Sequence, residues 1–498
     1  MQQDKLKKIT EVFEKTFGNT EGLRYFAAPG RVNLIGEHID YCGGFVFPAA
    51  LTLDTIVAAK PNGTRKLRMA ATTLDGIYEA DLDNIDAAQD LKWGNYQAGV
   101  AKELMLAGYK LEGLDMVYMV TVPFGSGLSS SASIELATGI ALTKIFDGTM
   151  DNVQLAQAGQ RAENKFCGVN CGIMDQFASA MGKKDHAILL NCATLEYQYV
   201  PVSLGDNVLV LANTNKKHKL GESKYNERRA EVEEGLKIIQ GAEIAEGVSP
   251  DAVKKDLCSY GTEDFKKLLK YIENPIIAKR VEHVICENAR VKTAVETLKA
   301  GDLNKFGELL REANQSIRYL YEATGDELDA MFDAAQGLDY CIGSRMTGGG
   351  FGGCTVNIVN KDHVEDFKET VGKKYFDATG NEALFYVCEI GDGAREIFIQ
   401  ESKSIDMEDE ELDGIIILED EEGHEETFEF VDMIEYEGIE YAVLLPVDET
   451  DNDVIILRVE NSANGEDEAY FEVENTETLK AVFEIFKERA KDDFDFAD

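Results

Sequence analysis

At 498 residues and 44% hydrophobic content, the chain is too long for one core and apolar enough to build two or three. A formal net charge of −42 opposes direct binding to nucleic acid or to an anionic membrane. With no apolar run near the roughly 20 residues of a bilayer span and a polar start, Met1-Gln-Gln-Asp-Lys, the expectation is a soluble, cytoplasmic protein without a secretory signal. The nine cysteines are scattered and suit a reducing compartment. Cys167 and Cys171 share a helical spacing but lack the second Cys or His pair of a zinc site.

In chain order, residues 5–17 read as an amphipathic helix, 24–28 lead into a glycine-bearing loop, 45–59 are apolar enough for strands, and 67–82 form a strand pair. Residues 116–122 read as a strand and 134–146 as a helix, and a short helix is expected at 177–181. Between 225 and 321 the pattern turns helical, over 225–240, 262–272, 276–299 and 303–321, with Asp302 and Asp326 placed as N-caps. Strands return at 354–359 and 383–390 around a helix at 364–375. The expected class is α+β, with domains at 1–205 and 206–400.

The last fifth differs. Residues 406–498 hold 34 acidic and 5 basic side chains, which leaves only −13 of the net charge to the rest. Residues 401–412 read as an acidic linker. Within 413–498, strands at 414–418, 427–436, 440–447 and 453–459, turns at Glu-Glu-Gly and Tyr-Glu-Gly, and a helix at 476–490 predict a small folded β-rich appendage, suited to solubilising the chain, docking a protein partner or regulating the larger part.

Three glycine-bearing segments carry chemistry. Residues 123–133, Pro-Phe-Gly-Ser-Gly-Leu-Ser-Ser-Ser-Ala-Ser, join a strand to a helix. Glycines permit close backbone approach, the helix start offers free N–H groups, and serine hydroxyls can meet phosphate oxygens or a hard cation. Residues 29–44, Pro-Gly-Arg-Val-Asn-Leu-Ile-Gly-Glu-His-Ile-Asp-Tyr-Cys-Gly-Gly, cluster Arg31, Glu37, His38 and Asp40, a set suited either to sugar hydroxyls or to a solvated loop. Residues 346–356, Met-Thr-Gly-Gly-Gly-Phe-Gly-Gly-Cys-Thr-Val, carry five glycines in six positions, more than a β-bulge needs, so close backbone approach is expected.

Together these segments, in this order and spacing, resemble the galactokinase family of the GHMP small-molecule kinases. Cys171-Gly-Ile-Met-Asp-Gln, Asn213-Thr-Asn-Lys-Lys-His-Lys and Ser223-Lys-Tyr-Asn-Glu-Arg-Arg strengthen the likeness, which spans about residues 5–400. It implies a two-domain fold with the active site between the domains, and phosphorylation of the anomeric hydroxyl of α-D-galactose by ATP with Mg2+. Carried over residue by residue, it implies Asp175 as catalytic carboxylate with Arg31 as its partner, and Glu37, His38, Asp40, Gly172 and Tyr225 around the sugar. Gly125, Ser126, Gly127, Leu128, Ser129, Ser130 and Ser131 would wrap the ATP phosphates, and Ser131 and Glu163 would hold magnesium. Trp93 reads as an adenine neighbour or a core residue. Asp175 is expected just before its helix.

Departures are Ile39 and Cys42 in the first segment and Ala313-Asn-Gln-Ser-Ile-Arg in a later helix; these bear on sugar preference. A non-catalytic galactose and ATP sensor, or a kinase for a related sugar such as N-acetylgalactosamine, are the alternatives. The first glycine-serine turn lacks the third glycine of a dinucleotide fingerprint.

Overall fold

The computed structural model describes residues 2–146, 149–216 and 221–398 and, beyond these, 415–419, 425–436, 439–446, 454–461, 468–473 and 476–489. Contacts divide the chain into two units, Met1–Phe398 and Ile399–Asp498.

The first unit begins with α1 (Gln2–Phe17), β1 (Arg24–Asn33), β2 (Phe45–Val46), β3 (Pro48–Pro61), β4 (Lys66–Ala71), β5 (Leu74–Asp81), α2 (Asn95–Leu106), β6 (Leu114–Val120) and α3 (Ser130–Phe146). It continues through α4 (Asn152–Ala162), α5 (Met174–Met181), β7 (His186–Asn191), β8 (Tyr197–Pro201), β9 (Asn207–Asn213), α6 (Gly221–Ala245), α7 (Thr262–Leu268), α8 (Pro275–Lys299) and α9 (Leu303–Ser316). Last come α10 (Asp326–Ala335), β10 (Cys341–Thr347), β11 (Cys354–Asn360), α11 (Val364–Thr379), β12 (Leu384–Cys388) and β13 (Arg395–Ile397). A six-stranded sheet runs β13-β1-β3-β6-β4-β5, a four-stranded sheet β10-β11-β9-β12, and a small third sheet β2-β7-β8. All pairings in these sheets are antiparallel except β4 with β6.

The central strands read as unbroken apolar runs because both faces are covered. In β1, β3 and β6 the residues Phe26, Ala28, Val57, Ala59, Met116 and Tyr118 join the main core. Their neighbours Tyr25, Ala27, Ile56, Ala58, Val117 and Met119 pack instead with Leu6, Ile9 and Phe13 of α1. A period of two thus splits each strand between two apolar layers. The four-stranded sheet does the same: Leu209 and Leu211 face the main core, while Val210 and Ala212 pack with Met331, Phe367 and Tyr375. β13 returns from the far end of the unit to pair with β1, Tyr25 opposite Ile397.

Several boundaries differ from expectation. Asp302 caps α9 through its carboxylate, which accepts from the Lys305 N–H at 3.0 Å. Asp326 is not a cap; Gly325, at φ 89°, precedes the helix and Asp326 starts it. α9 ends at Ser316, and residues 317–321 form a π-turn closed by Glu322 at φ 57°. Asp175 lies inside the first turn of α5 rather than before it. α2 was not foreseen; residues 97–101, 103 and 104 are all buried, and a helix covered on most sides shows no apolar stripe.

The second unit is an antiparallel meander of β14 (Ile415–Glu419), β15 (Glu425–Tyr436), β16 (Ile439–Pro446), β17 (Ile455–Asn461) and β18 (Glu468–Glu472), followed by α12 (Thr476–Arg489). Val482 and Phe486 of α12 pack on Ile434, Tyr441, Val443 and Ile456. β18 was not foreseen. The expected linker 401–412 and the turn at 421–423 lie outside the described residues, as do residues 437–438 of the second turn.

Candidate active site

Arg31 sits on β1 just past a register shift between Pro29 and Arg31. Here the glycine-serine turn lies directly on the strand: a Cβ on Gly30 would fall 2.6 Å from the Leu128 carbonyl oxygen, and the Arg31 N–H donates to that oxygen at 3.1 Å. The Arg31 side chain is 3% exposed. Its Nε and Nη2 lie 2.9 and 2.7 Å from Asp175 Oδ1, and Nη1 donates to the Gly127 carbonyl at 2.7 Å. Ser129 Oγ donates to Asp175 Oδ2 at 2.6 Å. Both oxygens of Asp175 are therefore held, yet the side chain remains 27% exposed. A carboxylate gripped by a guanidinium and a hydroxyl at a helix N-terminus is fixed in orientation.

Through the turn, Gly125 and Gly127 have φ 68° and 74°, and Ser129 adopts φ 60°. Ser126 Oγ closes on the Pro123 carbonyl at 2.6 Å, and Leu128 is buried in the main core. Ser130 and Ser131 open α3. Ser129 thus serves Asp175, and Ser126 serves the turn itself. What remains toward solvent is the α3 N-terminus with two half-buried serines, flanked by Phe124, 96% exposed.

The third segment, between β10 and β11, explains its glycines by contact. Gly348, at φ 86°, would put a Cβ 2.5 Å from the Gly127 carbonyl oxygen, and Gly353 would put one 2.8 Å from that of Ser126. Backbone lies on backbone, leaving no room for side chains. Gly350 abuts the Ala323 carbonyl in the same way, its would-be Cβ 2.0 Å from the oxygen.

The sugar-motif residues cluster beside this junction. Glu37 is buried against Arg345, whose Nη2 lies 2.5 Å from Oε2. Asn33 Nδ2 and the Gly348 N–H also donate to Glu37, at 2.6 and 2.9 Å. Burial pushes the Glu37 carboxyl up, and Arg345 opposes that. His38, at φ 60°, donates from Nε2 to the Gly349 carbonyl at 3.1 Å, so Nδ1 accepts the Tyr41 hydroxyl at 2.8 Å. Tyr41 in turn accepts from Tyr321 at 2.7 Å, which makes the chain of hydroxyls directional. Burial, reinforced by His283, lowers the His38 pKa to about 3, so the ring is neutral. Tyr225 packs 5.3 Å from the His38 ring and 5.6 Å from that of Tyr41.

Asp40 and Gly172 touch: a Cβ on Gly172 would fall 1.8 Å from Asp40 Oδ2. Burial, with the neighbouring Asp175 carboxylate, pushes Asp40 up to about 6. Ser131 lies close enough to Glu163 to oppose the rise in its pKa that burial, followed by Asp175, produces. Among the described residues no group of three or more His, Cys, Asp and Glu is placed to hold a metal. Trp93 lies between Tyr78 and Tyr118, ring centres 5.4 and 5.5 Å away. Of residues 213–219 the structure describes those up to Lys216, and Ser223 contributes no described side chain.

Sequence reasoning missed Arg345, Tyr321 and the role of Ser129. Arg345 could have been flagged as a lone charge in the apolar strand before the third segment. The departing helix stretch supports the site from behind. Asn314 Oδ1 accepts the Met346 N–H at 2.9 Å, and Ser316 hydrogen-bonds His283 at 2.9 Å. Ile39 and Cys42 are buried.

Comparison with known proteins agrees with this geometry. The chain matches the galactokinase galactose-binding signature over residues 11–61, the GHMP kinases N terminal domain over 95–183, and the GHMP kinases C terminal domain over 294–378. Residues 421–491 match a protein family of unknown function, DUF1292. A galactokinase of Clostridium tetani is 45% identical over 79% of this chain and 98% of its own length. One from Bacillus subtilis is 44% identical over 78% and 99%. The crystal structure of Lactococcus lactis galactokinase complexed with galactose, 40% identical, superposes with a TM-score of 0.74 over 79% of this chain and 100% of that one. A mevalonate kinase, 17% identical with a TM-score of 0.51 over 74% and 99%, shares the fold alone. With nearly the full length of these relatives aligned at such identity, the chain belongs to the galactokinase family of GHMP kinases.

Proposed function

We propose that this chain transfers the γ-phosphoryl group of ATP to the anomeric hydroxyl of α-D-galactose, giving galactose 1-phosphate and ADP. The observation that carries this is the Asp175–Arg31 pair, part-exposed and bonded to Gly127 and Ser129 of the glycine-serine turn. Phosphoryl transfer asks a protein for positioning and charge stabilisation. Asp175, held in place by Arg31 and Ser129, accepts the proton of the attacking hydroxyl, and Arg31 offsets the negative charge that develops beside it. Glu37, His38, Asp40, Gly172 and Tyr225 form the sugar side of the cleft. Residues 125–131 form the phosphate side, where the N–H groups of the α3 start and the Ser130 and Ser131 hydroxyls face the nucleotide. Leu128 contributes only backbone.

The site suits magnesium because Ser131 and Glu163 meet there, and Glu163 shares its one amide donor, Gln176, with the buried Glu135. A divalent cation on Ser131 and Glu163 would neutralise phosphate charge. No observation favours the sensor or N-acetylgalactosamine reading. A division into domains 1–205 and 206–400 assigns Arg31 and Asp175 to the first and Tyr225, Tyr321 and Arg345 to the second. Among the described residues no helix is long and apolar enough to cross a membrane.

An ADP-release screen over monosaccharides tests the reaction, with galactose expected as the preferred acceptor. Asp175→Asn is expected to lower kcat by about 100- to 10,000-fold while galactose still binds by calorimetry; retained turnover would remove Asp175 from the centre.

A further inference from the structure

We infer that Gln176 is a positioning residue for the metal-nucleotide, orienting Glu163 through a side-chain amide anchored on Glu135. The inference rests on the assignment of Ser131 and Glu163 as magnesium holders and extends it to groups that never touch the cation. Gln176 is wholly buried on α5, next to Asp175. Its Nε2 donates to Glu163 Oε2 at 2.5 Å and to Glu135 Oε2 at 3.0 Å. The two carboxylates come from different elements, Glu163 from the π-turn that follows α4 and Glu135 from α3. One amide therefore ties three helical segments together. Gly159 of α4 closes the fourth side: a Cβ there would fall 3.2 Å from Gln176 Cγ and 3.6 Å from Glu135 Oε2.

Cys171 Sγ also lies 3.4 Å from Glu163 Oε2, its single proton shared with Asn164 Oδ1 at 3.3 Å. That oxygen is thus engaged by the protein, and Oε1 is the one that neither the amide nor the thiol holds. As packing alone the arrangement is destabilising. Glu135 Oε1 and Gln176 Oε1 are buried without a hydrogen-bond partner, and two buried carboxylates share a single amide. Behind a cation ligand the same arrangement has a purpose, because an outer hydrogen bond fixes which oxygen the ligand presents and how basic it is.

The test uses the full-length chain with Mn2+ as the probe, titrated by electron paramagnetic resonance in the presence of ATP and without galactose. Gln176→Met keeps the volume and removes the amide. Its Mn2+ affinity is expected to fall by about 10- to 100-fold, with a raised KM for magnesium-ATP, an unchanged KM for galactose, and turnover largely restored by excess Mg2+. Wild-type Mn2+ affinity in Gln176→Met overturns the inference. Should that variant lose its galactose-induced thermal shift, and so its fold, Glu135→Gln decides: it preserves shape, and a smaller loss of Mn2+ affinity supports the inference while no loss overturns it. Glu163→Gln separates the two levels. If it binds Mn2+ like the wild type, the magnesium assignment itself fails; if it loses Mn2+ while Gln176→Met does not, only the role of Gln176 fails.

Discussion

In the first unit the interior holds Arg31, Glu37, Glu135, Gln176, Arg280 and Arg345. In the second, the buried side chains among the described residues are Phe428, Ile434, Tyr441, Ala442, Val443, Leu444, Ile456, Val459, Val482 and Phe486. Backbone conformation divides the same way. All eight described non-glycine residues with positive φ lie in the first unit, His38 and Ser129 of the cleft among them. Buried charges and left-handed residues cost stability and persist where surrounding structure over-determines them. Their concentration in one unit marks where the chemistry is done. The other unit keeps an apolar interior and carries most of the net acidity, an organisation suited to solubility or docking.

The sharpest break of this contrast is Arg345→Met. It strands the Glu37 carboxylate in the interior, with an expected loss of about 3–5 kcal/mol in denaturant unfolding of the first unit. Adding Glu37→Gln should recover part of that loss. A single-variant cost near zero would mean that the buried pair is not what joins the sugar motif to β10.

A smaller effect is expected from glycine replacement, where position decides the size. Gly348→Ala and Gly247→Ala both force a left-handed alanine, costing about 1–2 kcal/mol. Gly247 has open space around its would-be Cβ, whereas Gly348 meets the Gly127 carbonyl. Only Gly348→Ala should therefore exceed that range in thermal unfolding and also slow turnover. Equal costs would show that the two backbones can part.

Next comes acid. His38 and His283 have pKa values lowered to about 3 and about 4, burial being the main cause. Below about 6.5 the unfolded imidazoles take up protons that the folded ones refuse, so their contribution falls as pH drops from about 6.5 toward 4. At pH 5, His283 alone accounts for about 2 kcal/mol. Asp40, raised to about 6, works with the opposite sign, since the folded carboxyl binds its proton first. The same Asp40 shift predicts that kcat/KM for galactose declines below about pH 6. His283→Gln should flatten the acid side of the stability curve; an unchanged slope would place the acid sensitivity elsewhere.

The smallest effect is expected from removing residues 399–498. Galactose and ATP kinetics should stay as in the full chain, and so should the acid slope. Altered kinetics would give the acidic unit a regulatory role and end the contrast.

Period and composition made much of this legible. The 225–240, 276–299 and 364–375 helices, the 67–82 strand pair and the acidic meander stand on local patterning, which needs no tertiary partner to be seen. Arg31 and the glycine segments were visible as residue types whose clustering or cost demanded a reason, whereas Asp175 was marked only by the family resemblance. Arg345, Tyr321 and Gln176 were not, because their partners Glu37, Tyr41 and Glu135 each lie more than 40 positions away. Trp93 divides the two cases: a lone tryptophan is conspicuous in sequence, but only packing shows it between Tyr78 and Tyr118.

Sequence alone therefore determined the strongly patterned elements, the charge division and the phosphate-suited turn, since propensity, period and glycine freedom are properties of short segments. Tertiary structure decided that Ser129 holds Asp175, that Gly348 and Gly353 lie on Gly127 and Ser126, and that Glu37 is buried against Arg345. These depend on which backbones and charges meet across distances of up to about 300 residues along the chain, and close packing in the folded interior settles that.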